Sequence, residues 1–76
     1  MEIKTFIEQF AELFEETSMS DFLPETEFKY FNEWSSFTAL SIIAMVDEKY
    51  NVKITGDDIR KTDTVNDLFE IIKSRI

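Results

Sequence analysis

Residues 34–50 read WSSFTALSIIAMVDEKY, and this stretch predicts the central helix of the fold. Ser35 or Ser36 precedes its apolar residues and can accept a hydrogen bond from the first free amides of a helix. We therefore expect the helix to begin at Ser36 or one residue later. Its periodic residues recur at the spacing of a helix face, and the set is Leu40, Ile43, Ala44, Val46, Asp47 and Tyr50.

Toward the N-terminus, a first amphipathic helix is predicted over residues 2–16. Between the two helices, residues 15–35 lose the helical period, and Pro24 disfavours helical backbone at Leu23. This segment is predicted to be a long loop, with room for one short helical turn. Its own apolar side chains should hold it against the core. The apolar face of the first helix consists of Ile3, Phe6, Ile7, Phe10, Leu13 and Phe14, and the loop anchors are Phe22, Leu23, Phe28, Tyr30, Phe31 and Trp34.

Toward the C-terminus, residues 51–54 predict an extended connector with Val52 and Ile54 facing the core. Residues 55–58 and 64–67 each place a Thr three positions before an Asp, which is a variant of the capping box. They predict a short helix over about residues 57–61 and a last helix that begins near Val65. The predicted fold class is all-α: a small four-helix bundle, with three main helices and a short third one, forming a single domain over residues 1–76.

Composition narrows the function. The chain has 76 residues, is 43% hydrophobic and contains eight Phe, so we expect it to fold around one core. Sixteen acidic and eight basic residues give a net charge of −8, which argues against nucleic-acid binding and favours basic protein partners. The alternative is that the acidity serves only to keep the domain soluble. No apolar run is long enough for a signal peptide or a membrane span. We expect a cytoplasmic monomer that does not bind membranes.

Few residues are suited to chemistry. The chain has no Cys and no His, and its carboxylates form no convergent pair, so an enzyme is not expected. Asp57 and Asp58 lie at a predicted helix start, where we interpret them as capping residues, with a cation site as the alternative. No metal site is predicted. Ser36 differs from these because free amides and the helix dipole could stabilise a phosphate ester there, although a Ser pair in this position can also be a simple cap.

The order of these features resembles the acyl carrier protein family over nearly the whole chain. The resemblance rests on an amphipathic first helix, a long loop, a Ser that opens helix two, and fourteen residues from Ser36 to the aromatic Tyr50. It continues through the connector that follows Tyr50 and through residues 64–68, which open the last helix. In the family motif Asp-Ser-Leu, Asp is usual where this chain has Ser35, and Leu is usual where it has Phe37.

The resemblance implies a function for Ser36. A phosphopantetheinyl transferase would attach 4′-phosphopantetheine from coenzyme A to its hydroxyl. The chain would then carry acyl groups as thioesters and present them to acyl-loading and acyl-transferring enzymes of fatty acid, lipid or polyketide biosynthesis. These enzymes would use basic docking patches. The predicted docking face consists of Trp34, Phe37, Leu40, Met45, Asp47 and Glu48.

Other interpretations remain for these residues. Burial in the core is the alternative for Trp34 and Phe37, and it is the favoured interpretation for Leu40. At the level of function, the alternatives are an unmodified interaction domain with the carrier fold and a peptidyl or aminoacyl carrier.

Overall fold

A computed structural model describes residues 2–76, and it is all-helical. The four α-helices are α1 (Ile3–Ala11), α2 (Ser36–Tyr50), α3 (Gly56–Arg60) and α4 (Val65–Ser74). Two 3₁₀ turns, Met19–Asp21 and Phe28–Tyr30, lie in the loop between α1 and α2. The predicted fold class, including the short third helix and the long loop, is therefore confirmed.

Helix α1 ends five residues earlier than predicted. After Ala11 the chain tightens, since the amide of Leu13 donates to the carbonyl of Phe10 at 3.1 Å and the amide of Phe14 donates to that of Ala11 at 3.0 Å. Glu12 and its acidic neighbours crowd the C-terminal end of α1, which has no basic residue in its last turn. Negative charge is unfavourable at that end of a helix, and this explains the early stop.

Backbone conformation and capping set the other helix boundaries. Asn51 ends α2 with a left-handed backbone (φ 55°), a conformation that Asn tolerates better than most residues. Helices α3 and α4 begin at complete capping boxes built on Thr55 with Asp58 and on Thr64 with Asp67. Both capping boxes were predicted from the sequence, and both are confirmed.

The core is contributed by all four helices, the loop and the connector. Helix α1 packs on α4, and α3 contacts both α2 and α4. Val52 and Ile54 of the connector are buried, as predicted. Aromatic rings dominate the side contributed by α1 and the loop, where the ring centroids of Phe10 and Phe28 lie 5.1 Å apart. The fully buried large side chains include Phe6, Phe10, Phe28, Ile42, Leu68 and Ile72.

The long loop is fixed against the first turn of α4. The amide of Val65 donates to the carbonyl of Thr26 at 3.1 Å, and the amide of Asn66 donates to that of Pro24 at 2.8 Å. These bonds satisfy two amides that a helix start otherwise leaves without partners. The prediction of the loop anchors is confirmed in part, because Phe22 and Phe28 are buried and because Phe31 and Trp34 pack against the core. Leu23 and Tyr30 are exposed, so the prediction that they anchor the loop is wrong.

Candidate functional site

The two serines at the start of α2 have different roles. Ser35 is the N-cap, and its Oγ accepts a hydrogen bond from the amide of Thr38 at 3.3 Å. Ser36 is the first residue of the helix and is exposed. Within residues 2–76 its hydroxyl makes no hydrogen bond, whereas Ser35 also contacts the Thr38 hydroxyl at 3.3 Å. The capping task therefore belongs to Ser35, and the Ser36 hydroxyl is free.

Thr38 fixes the approach of the loop to this helix start. Its side chain is buried, and its hydroxyl donates to the carbonyl of Glu33 at 2.9 Å. The Glu33 carboxylate in turn accepts a hydrogen bond from the Thr17 hydroxyl at 2.6 Å and one from the amide of Glu16 at 2.9 Å. These bonds lower the pKa of Glu33, the Thr17 hydroxyl most of all. Both ends of the loop are thus tied together just before Ser36.

A surface cavity of about 200 Å³ lies beside Ser36. Its apolar lining includes Trp34 and Ile59, and its two cationic side chains are Lys29 and Arg60. The ammonium of Lys29 donates to the carbonyls of Ile59 and Arg60, at 3.3 Å each, so it is held at the end of α3. Ser36 and both cations line the same cavity in a chain with a net charge of −8, so positive charge is available on the wall beside a phosphate ester at Ser36.

The guanidinium of Arg60 is already engaged with the carboxylate of Asp57. Both side chains are largely exposed, and surface ion pairs of this kind contribute little to stability, so the guanidinium can turn toward another anion. Gly56 forms part of the cavity wall. A Cβ built there would come no closer than 3.6 Å to Arg60, an ordinary contact distance.

The predicted docking face is only partly assembled. Phe37 and Leu40 lie one turn apart on α2 and are 78% and 63% exposed. The preferred interpretation of Leu40 as a core residue is therefore wrong. Trp34 is half-buried, and its ring packs edge-on against Phe28 with centroids 5.2 Å apart. Met45 is only 7% exposed and belongs to the core, so its prediction as a docking residue is wrong.

The helical period explains why the predictions for Leu40 and Met45 were wrong. From Phe37, the positions that share its face are 40, 41, 44 and 48, whereas Met45 lies with Ile42 on the buried side. Ala44 is exposed and occupies the place on this face that was assigned to Met45. We call the exposed set Phe37, Leu40 and Ala44 the α2 patch.

The charged residues at the end of α2 also differ in their environment. Glu48 is exposed, whereas the carboxylate of Asp47 forms an ion pair with the ammonium of Lys53 at 2.9 Å. Lys49 is exposed beside them. The α2 patch is therefore bordered by nearly balanced charge.

Asp57 and Asp58, the alternative cation site, have other partners. Asp58 completes the capping box and accepts two hydrogen bonds from the Arg75 guanidinium, at 2.7 and 2.8 Å. Arg75 and the amide of Thr55 hold the pKa of Asp58 far below its usual range. The interpretation as a capping residue is confirmed for Asp58. Asp57 lies in the first turn of α3 but makes no cap hydrogen bond, and its carboxylate pairs with Arg60. Among residues 2–76, no cluster of three or more acidic, His or Cys side chains could hold a metal ion.

Comparisons with family models, with curated proteins and with solved structures find no match for this chain. Among the helices of residues 2–76, none is both long enough and apolar enough to cross a membrane. Fold and site together define a class: a small helical bundle with a free Ser hydroxyl at the start of its longest helix, beside a cavity that carries two cations.

Proposed function

We propose that this chain is an acyl carrier protein whose phosphopantetheine arm is attached to Ser36. The observation that carries the proposal is the division of roles between the two serines. Ser35 satisfies the helix start, so Ser36 can be esterified without loss of the cap. Ser35 would be a poor acceptor, because its modification would remove the hydrogen bond to Thr38.

The surroundings of Ser36 fit the group. Its hydroxyl is exposed and free, the adjacent cavity offers an apolar wall, and Lys29 and Arg60 supply positive charge for a phosphodiester. In the loading reaction, the Ser36 Oγ forms a bond to the β-phosphorus of coenzyme A, adenosine 3′,5′-bisphosphate leaves, and the transferase takes the hydroxyl proton. The arm supplies the thiol that holds an acyl group as a thioester. The chain itself positions the arm and offers a surface to the partner enzymes.

That surface is the α2 patch. Phe37 directly follows Ser36 and Leu40 lies one turn beyond it, so both present apolar area next to the arm, with Glu48 at the far end of the same face. Recognition by acyl-loading and acyl-transferring enzymes would depend mainly on apolar contact there, because charges near the patch are nearly balanced.

The packing of the core bears on the cargo. The rings of Phe10, Phe14 and Phe22 pack with centroids 5.0 to 5.9 Å apart and fill the space between α1 and the loop. A long acyl chain that entered this region would have to displace close-packed rings. We therefore propose short, polar or aromatic cargo that stays outside the core. A thermal denaturation series on loaded chains should give the same Tm for short and long acyl groups, whereas a Tm that rises with chain length would refute this cargo assignment.

The loading test uses the purified chain, coenzyme A and a phosphopantetheinyl transferase of broad specificity, with intact and peptide mass spectrometry as the readout. A gain of one phosphopantetheine is expected in the wild type and in Ser35→Ala, and no gain is expected in Ser36→Ala. Modification of Ser36→Ala, or no modification of the wild type with either a broad-specificity or a source-organism transferase, would contradict the proposal.

A second function is an unmodified interaction domain, which the exposure of the α2 patch favours because apolar docking needs no arm. If the chain is never loaded, Phe37→Ala should weaken partner binding equally in the wild-type background and in the Ser36→Ala background. A carrier would instead lose its activity with partner enzymes when Ser36→Ala is the only substitution.

A further inference from the structure

The acidity of this chain is concentrated in its first third. Positions 2–27 contain eight acidic residues and one basic residue, Lys4, a formal charge of −7. Positions 28–76 contain eight acidic and seven basic residues, which leaves −1. Nearly the whole net charge of −8 therefore belongs to α1 and the first part of the loop, and not to α2.

Within residues 2–76, none of the eight carboxylates of this region forms an ion pair. All eight are exposed. Each ion pair among residues 2–76 uses a carboxylate from further along the chain, namely Asp47, Asp57 or Asp58. Unpaired like charges repel one another and oppose folding, so a partner that brings positive charge would relieve this repulsion.

An apolar groove of about 340 Å³ lies within this acidic region. Helix α1 forms one wall and the loop forms the other, and Lys4 and Glu8 are the polar residues that line it. Two loop side chains in the groove are only half-buried: Met19 is 49% exposed and Leu23 is 51% exposed. We call this surface the α1–loop groove; its apolar lining residues are Ile3, Ile7, Met19, Phe22, Leu23 and Pro24.

We propose that the α1–loop groove binds a basic amphipathic helix of a partner protein. One or two apolar side chains of that helix fill the groove, and its Lys and Arg residues meet the surrounding carboxylates. An apolar centre with a charged rim is a common design of protein interfaces, and an amphipathic helix is a common occupant of such grooves. This surface is separate from Ser36 and does not depend on a phosphopantetheine arm.

Charge selects this occupant over others. A second copy that met the groove with its own acidic region would bring a charge of −7 against a charge of −7, and an anionic lipid surface would be repelled in the same way. A small polar ligand would find few polar partners, because only two of the eight residues that line the groove are polar. A basic helix satisfies both the apolar groove and the unpaired carboxylates.

The test titrates the ¹⁵N-labelled full chain with a synthetic peptide of Lys and Leu. The peptide has about 18 residues, long enough to form a helix, and its Leu residues share one face. Amide shift changes are expected at Ile3, Ile7 and Leu23 and not at the α2 patch. Binding should weaken as salt rises, since the steering charges are exposed.

Two matched substitutions separate the groove from general electrostatic attraction. Leu23→Gln and Leu40→Gln each replace a Leu that is more than half exposed, so both variants should fold. Leu23→Gln should weaken binding about fivefold, because roughly half of a Leu side chain remains to be buried there. Leu40→Gln should bind as the wild type does, and so should Ser36→Ala. A peptide of identical composition whose Leu residues are scattered around the helix should bind more weakly.

Several results would overturn the proposal. One is equal loss of affinity in Leu23→Gln and Leu40→Gln. Another is equal binding of the scattered peptide, which would indicate attraction by charge alone. A third is self-association of the free chain that Leu23→Gln abolishes in sedimentation equilibrium, which would assign the groove to a second copy.

Discussion

Replacement of Ser35 tests whether it serves only as a helix cap. Ser35→Ala removes the acceptor for the Thr38 amide, and a lost N-cap of this type typically costs about 1 kcal/mol of unfolding free energy. For a domain of this size that corresponds to a Tm lower by about 4–8 °C. Ser35→Asp keeps an N-cap acceptor and adds negative charge at the positive end of the α2 dipole, worth about 0.3–1 kcal/mol. Its stability should therefore equal or exceed that of the wild type.

The same two variants report on loading. Ser35→Asp introduces the acidic residue that carrier proteins usually have before the modified Ser, so, if the proposed carrier function holds, Ser36 should be modified faster than in the wild type. Circular dichroism melts give the stabilities, and time-resolved intact mass gives the loading rates. If Ser35→Asp were as unstable as Ser35→Ala, the capping geometry would be refuted. If it were stable but loaded no faster, the resemblance to carrier proteins at this position would lose its functional meaning.

Three further predictions concern stability. Phe28→Ala should lower the unfolding free energy measured by urea denaturation by about 3–5 kcal/mol, because Phe28 is fully buried. The exposed Phe37 is the control, since Phe37→Ala should change that free energy by less than about 0.5 kcal/mol. Equal effects of the two substitutions would contradict the packing. Arg75 lowers the pKa of Asp58 in the folded state, so the pair stabilises the fold fully above about pH 4 and progressively less as the pH falls below it. The wild type should therefore lose more stability between pH 7 and pH 3 than Asp58→Asn, and parallel losses would exclude this linkage. Gly56→Ala should raise stability by about 0.4–1 kcal/mol, since the position has no positive φ and has room for a methyl group; a lower Tm would refute that reasoning.

Helix starts were predictable from the sequence because they depend on local chemistry. At a helix start, a Thr three residues before an Asp satisfies two free amides through local contacts alone, and this pattern located α3 and α4. The start of α2 at Ser36 followed from the Ser pair in the same way. The end of α1 was not predicted, because apolar spacing continues through Phe14 while the accumulated negative charge of residues 12–16 opposes further helix.

The exposed surface of α2 was harder to predict, since nearly the whole helix is apolar. Leu40 and Met45 are both plausible core residues, and the choice between them depends on how α2 is rotated against the rest of the core. The sequence held one usable signal. Ile42, Met45 and Val46 form an i, i+3, i+4 set that agrees with the buried face, and Phe37, Leu40 and Ala44 form the opposite one.

The charge distribution changes how a carrier function would operate in this molecule. At the end of α2, Asp47 is paired with Lys53 and Lys49 lies beside Glu48, so this face attracts a basic enzyme only weakly. A partner that relied on long-range attraction would be drawn toward α1, because the exposed carboxylates of positions 2–27, none of which forms an ion pair among residues 2–76, are concentrated there. Binding of a basic helix at the α1–loop groove would leave Ser36 and the α2 patch free, since none of their residues lines the groove. One surface could then hold a partner by charge while the other presents cargo through apolar contact.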